Sequence, residues 1–174
     1  MPSILRCTVL ICLITFASEI TAQEKQKPLI TRERVQLNLA GAEVILKAAK
    51  TKAEALGMKG NIAVVDDGGH LMAFIRMDGA RPASASTAMA KAVSAATFRQ
   101  ETGPLPMKGE PDALLSLGIQ TASGGKVTPL KGGIPILIDG QVVGAVGVGG
   151  GSGEQDADVA KTGVQALLDA LGTK

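Results

Sequence analysis

The chain of 174 residues contains no Trp and no Tyr, only three Phe, a single His and two Cys. Each scarcity removes a class of function. Phe16 falls in the leader described below, which leaves Phe74 and Phe98. Two aromatics cannot build the stacking platforms that bind single-stranded nucleic acid. Acids and bases are interspersed, the net charge is +2, and no basic run appears. Nucleic-acid binding therefore has no support. One His without nearby Cys cannot supply the several N or S donors of a zinc site. No Ser sits in a nucleophile-elbow setting, so a Ser-His-Asp hydrolase is not indicated.

Both cysteines lie near the start, in a stretch with the pattern of a secretory signal peptide. Arg6 precedes an apolar run from Cys7 to Phe16, and small residues end at Ala22, which predicts cleavage after Ala22. The run is shorter than the roughly 20 residues of a membrane span, so no span is expected after cleavage. A lipidated Cys12 is the competing reading, but the small residues expected before it are missing. Cleavage removes Cys7 and Cys12, so the mature protein has no disulfide and must rely on its core. Its expected location is periplasmic or secreted. Residues 23–30 read as a polar tether and residues 31–172 as one domain.

What the sequence has in quantity is glycine and short apolar runs. Lys131–Asp158 reads as strand, turn, strand, glycine run and helix start. Asp139-Gly140 between two β-branched runs signals a type I′ hairpin, whose two central residues need positive φ. Ser152 with Gln155 fits a capping box. The glycine run 149–153 lacks the Lys and hydroxyl of a phosphate loop. Glu154, Asp156 and Asp158 suit a helix N-terminus whatever the function, and they argue against a bound phosphate.

Upstream, Thr31 is a candidate cap for a helix running to about Leu56, with Val35, Leu39, Ala42, Leu46, Ala49 and Ala53 on one face and Gly57 at its end. Asn61–Asp66 and His70–Met77 are expected to pair as a first hairpin around Asp67-Gly68-Gly69. Ala83–Phe98 reads as an alanine-rich helix, suited to close packing or simply rich in good helix formers. Residues 102–111 are a loop, 112–117 at most a short helix, and 120–126 another loop. Val127–Leu130 reads as a short edge strand. A last helix spans Gln155–Leu171. Hairpins interleaved with helices make an α+β fold with an antiparallel sheet.

Candidate chemistry collects at a few positions. His70 is either a proton carrier or haem ligand, or a turn residue bonded to a neighbouring carboxylate. Asp66 and Asp67 would point to opposite faces of a strand, so one is expected to stabilise the turn. Arg76, at the end of an apolar strand, lies on the solvent face or clamps a carboxylate. Lys131-Gly132-Gly133 offers a cation beside glycines that a ligand could approach; a bulge at the strand start is the alternative. Met58, Met72, Met77, Met89 and Met107 read as core filler.

Three blocks together resemble the GlcG/HbpS family, also called the haem-degrading or DUF336 family, which includes the C-terminal domain of PduO-type proteins. They are Val65-Asp66 with Gly69-His70-Leu71, Lys131-Gly132-Gly133-Ile134-Pro135, and Gly144–Gly147 with Gly149-Gly150 and Glu154-Gln155-Asp156. The resemblance runs from about Thr31 to Leu171. It implies a profilin-like or PAS-like antiparallel sheet of about five strands flanked by helices, and assembly as a homo-oligomer from dimer to octamer. It also implies a small-molecule ligand, with haem as the possible cofactor and His70 as the candidate iron ligand. The functional expectation is thus a binding protein for haem or a related anionic ligand, with Arg76, Lys131, Gly132 and Gly133 as further contacts. An enzyme acting on a small organic acid, with His70 and Asp66 or Asp67 moving protons, is the second reading. An accessory structural protein is the third.

Overall fold

The Asp139-Gly140 pair turns as its sequence demands, with φ of 50° and 73°, and it joins β3 (Gly133–Ile138) to β4 (Gln141–Gly149). In the computed structural model, which describes residues 34–172, the first hairpin joins β1 (Asn61–Asp66) to β2 (Leu71–Arg76). The two hairpins meet through β1 and β4, giving an antiparallel sheet of order β2-β1-β4-β3. The sheet thus has four strands, not about five. The expected strand Val127–Leu130 does not form. That segment is tied to a helix instead: the Thr128 N–H donates to Ser94 Oγ at 2.7 Å. Pro135 lies in β3, an edge strand, where a missing N–H is tolerated.

Both faces of β1 are covered, which explains its continuous apolar run. Ala63 and Val65 pack with Ala88, Ala92, Ala95 and Ala96 of α2 (Ala83–Phe98). Ile62 and Val64 pack with residues of α1 (Leu39–Ala55) and α4 (Gly153–Leu171), among them Ile45, Ala49, Val159 and Leu167. The alanine-rich helix therefore serves close packing on the sheet. Its backbone lies so near β4 that a Cβ on Gly147 would stand 2.1 Å from the Ala88 carbonyl oxygen. Across the other face, a Cβ on Gly163 of α4 would stand 3.0 Å from the Ile45 carbonyl oxygen of α1.

Helix ends differ from the sequence expectation in two places. α1 starts at Leu39, not near Thr31; Asn38 caps it by accepting from the Gly41 N–H at 2.9 Å. An Asn side chain satisfies such an orphan donor as well as Thr does. Thr31, the leader 1–22 and the tether 23–30 lie outside the described residues. α3 (Ala113–Ala122) outruns the expected 112–117, because Asp112 caps it and Gly118 does not break it. The capping box at α4 forms in full: Ser152 Oγ accepts from Gln155 N–H at 3.2 Å and Gln155 Oε1 from Ser152 N–H at 3.0 Å. Among the described residues no helix is long and apolar enough to cross a membrane.

Candidate functional site

The register places the candidate residues at opposite ends of the sheet. Asn61 pairs with Arg76 and Gly149, and Gly133 with Gly147. Arg76 and Lys131-Gly132 therefore share one end. Asp66 and His70 close the other, where the Asp66 N–H donates to the His70 carbonyl at 2.9 Å. Six residues of strand separate the ends, roughly 20 Å at about 3.3 Å per residue. Arg76 and Lys131 are further split across the sheet by three strand spacings, roughly 14 Å. A single small acid cannot span His70 and either cation within one chain.

At the Lys131 end the polar groups already have partners. Lys131 Nζ meets Glu154 Oε1 at 3.1 Å, and both side chains are exposed. The hydrogen bond from Lys131 holds the Glu154 carboxyl below its ordinary range. A cleft of about 670 Å³ lies beside them, lined also by Thr102, Met107, Asp158 and Lys161; Lys161 in turn pairs with Glu101 at 3.0 Å. Gly132 also lines the cleft, but the side on which either adjacent glycine would carry a Cβ is filled by protein. A Cβ on Gly132, whose φ is +117°, would stand 2.6 Å from Asp156 Cβ, and one on Gly133 would stand 2.3 Å from the Lys91 carbonyl oxygen.

Those neighbours reveal a pair that the sequence analysis missed. Lys91 Nζ, from α2, lies 2.6 Å from Asp156 Oδ2 and 2.8 Å from the Val148 carbonyl. The two side chains are 4% and 3% exposed, so the pair is internal. Asp156 Oδ1 also accepts from the Gly151 N–H at 2.9 Å. Together with the capping box, this satisfies the N–H groups of Gly151, Ser152 and Gln155 and ties α2, β4 and α4 together. The one signal in the sequence was a Lys at the centre of an otherwise uncharged helix.

The His70 end is built differently. Asp66 Oδ1 accepts from the Gly68 N–H at 2.9 Å and from the His70 N–H at 2.8 Å. His70 Nδ1 stands 3.2 Å from both Asp66 oxygens. Partial burial pushes the Asp66 carboxyl up, but the hydrogen bonds from His70 and Gly68 outweigh it and bring it below 3.8. An ionised carboxylate accepts only, so Nδ1 carries a proton, and in the neutral ring Nε2 keeps its lone pair. The imidazole is 81% exposed. Asp67 has a separate role, pairing with Arg34. Arg76 is exposed at the end of β2.

An apolar groove of about 540 Å³ runs between β2 and α2, lined by Leu71, Phe74, Met89 and Val93. His70 is not among its lining residues; Asp66, which His70 contacts, follows Val65 along β1 and so lies on the face of the sheet away from α2. Leu71 lines it, and a Cβ on Gly69 would stand 3.3 Å from the Val93 side chain. Among the described lining residues only Lys126 carries charge. An apolar wall and one cation suit a flat apolar ligand with an acidic edge. Among the described residues no group of three or more His, Cys, Asp or Glu could hold a metal ion.

Comparison with known proteins bears on the same point. The profile of the family described as "Haem degrading protein HbpS-like" matches residues 37–165. Protein GlcG of Escherichia coli K12 is 38% identical over 117 residues, which is 67% of this chain and 84% of GlcG. The crystal structure of a PduOC–haem complex superposes with a TM-score of 0.69 at 32% identity, covering 76% of this chain and 95% of that one. A double mutant of HbpS from Streptomyces reticuli gives 0.67 at 29% identity, covering 81% and 97%.

Proposed function

The chain belongs to the HbpS-like family, and on that footing we propose that it is a secreted or periplasmic, homo-oligomeric haem-binding protein. The observation that carries the reading is the apolar groove of Leu71, Phe74, Met89 and Val93, with Lys126 as its one charged residue. The groove would take the macrocycle and Lys126 a propionate; the exposed His70 is the candidate iron ligand. The haem-bound relative PduOC supports haem as the ligand. The leader of residues 1–22 supports export.

Self-association is supported by α3. It buries none of its residues, and Leu114 and Leu117 are 73% and 61% exposed. A helix of ten residues is marginal in water without packing. Residues 113–125 carry no charge, so two copies of this face meet without repulsion.

Arg76 and Lys131-Gly132-Gly133, first considered as ligand contacts, sit at the far end and do not join this site within one chain. Within one chain the same separation keeps His70 away from the cations that would hold the carboxylate in the organic-acid reading. The test is titration of the mature protein with hemin, followed at the Soret band. Saturable binding that His70→Ala abolishes or strongly weakens supports the proposal. An identical titration in His70→Ala removes His70 as the ligand.

A further inference from the structure

We propose that the cleft beside Lys131 binds a short zwitterionic peptide, laid along α4 with its carboxylate at Lys131 and its ammonium at Glu101. This site uses none of the residues of the haem-binding reading and stands without it. The cleft, of about 670 Å³, has the size of a small-molecule site. Glu154, Asp158 and Lys161 line it from one face of α4, at spacings of four and three. Pro104, Met107 and Ile134 give it apolar surface.

The charges lining the cleft form two pairs about two helical turns apart, roughly 10 Å along the α4 axis. Lys131 meets Glu154 at 3.1 Å and Lys161 meets Glu101 at 3.0 Å. All four side chains are more than half exposed, and pairs of that kind contribute little, so a ligand displaces a partner at small cost. The third acid, Asp158, is held by Lys52 at 2.9 Å. The lining charges thus cancel. A ligand of one sign leaves the cleft with a net charge, whereas a zwitterion keeps the sum at zero. The dipole of α4 sets the direction, because its N-terminal end favours the negative group. That end carries Lys131, and the ammonium falls to Glu101 beside Lys161. An extended chain advances about 3.3–3.6 Å per residue, so about three residues span the two pairs and a single amino acid does not.

The experiment is calorimetric titration of the mature protein with trialanine, N-acetyl-trialanine, trialanine amide and free alanine. The expected result is saturable binding of trialanine, weakened roughly tenfold or more by either cap, since each cap removes one charge-assisted hydrogen bond. Free alanine should bind at least tenfold more weakly than trialanine. In Lys131→Met the amide should bind as well as the free acid, and in Glu101→Gln the acetylated form as well as the free amine. Both side chains are exposed, so the fold should persist, as circular dichroism checks. Absence of trialanine binding at millimolar concentration would overturn the proposal. So would equal binding of the capped peptides or of alanine by the wild type, or cap preferences unchanged in the two variants.

Discussion

Lys91 and Asp156 form a 2.6 Å ion pair sealed between α2 and the start of α4. Removing one partner of such a pair strands the other as a buried charge, which costs far more than the pair contributes. Lys91→Met should therefore lower the unfolding free energy by about 3–5 kcal/mol. Urea unfolding followed by far-UV circular dichroism measures it. A loss comparable to that from Lys131→Met, whose partner Glu154 is exposed, would contradict the account, since exposed pairs contribute only about 0–1 kcal/mol.

Two glycines should respond in opposite directions to alanine. Gly147→Ala forces a Cβ to within 2.1 Å of the Ala88 carbonyl oxygen, so α2 must lift from the sheet. A loss of about 3 kcal/mol or more is expected. Gly118→Ala, in α3 with open space around it, should instead stabilise by about 0.4–1 kcal/mol through the unfolded chain. Thermal unfolding of both variants compares them.

These two cases show how far the sequence could be read. The hairpin at Asp139-Gly140, the capping box at Ser152 and the limits of α2 were legible, because turn and cap chemistry is local. The missing fifth strand was not. Val127–Leu130 has strand-like residues, and only the bond between Thr128 and Ser94 of α2 diverts it. At Gly132 and Gly133 the space a side chain would take is filled by Lys91 and Asp156 from distant parts of the chain, which no local pattern reveals. Lys91 itself was invisible as a buried charge, since a lone Lys in a helix ordinarily faces water. The resemblance in three motif blocks did point to the family that the profile match establishes. It could not say that His70 and Lys131 lie at opposite ends of the sheet, because that follows from the pairing of β1 with β4.

The pH dependence of Asp66 has a definite sign. Its carboxyl lies below 3.8 in the folded protein, so its contribution is complete above that value and is lost as the pH falls through the folded pKa. The stability difference between the wild type and Asp66→Asn should shrink as the pH falls below about 4. Denaturant unfolding at about pH 5 and at successively lower pH tests it. A difference that stays constant or grows below about pH 4 would contradict the assignment.

The exposed leucines of α3 are expected to be buried between copies. Leu114→Glu with Leu117→Glu should reduce the molar mass in light scattering while leaving the circular dichroism of the fold unchanged. A wild type that is monomeric at micromolar concentration, or a double variant with unchanged mass, would contradict the proposed contact.

The central claim is that haem sits at the His70 end of the sheet. Diffraction from hemin-loaded crystals at the iron absorption edge tests it most directly. The account predicts one anomalous iron peak per chain within bonding distance of His70 Nε2. A peak in the cleft beside Lys131, or an iron held without His70, would contradict it.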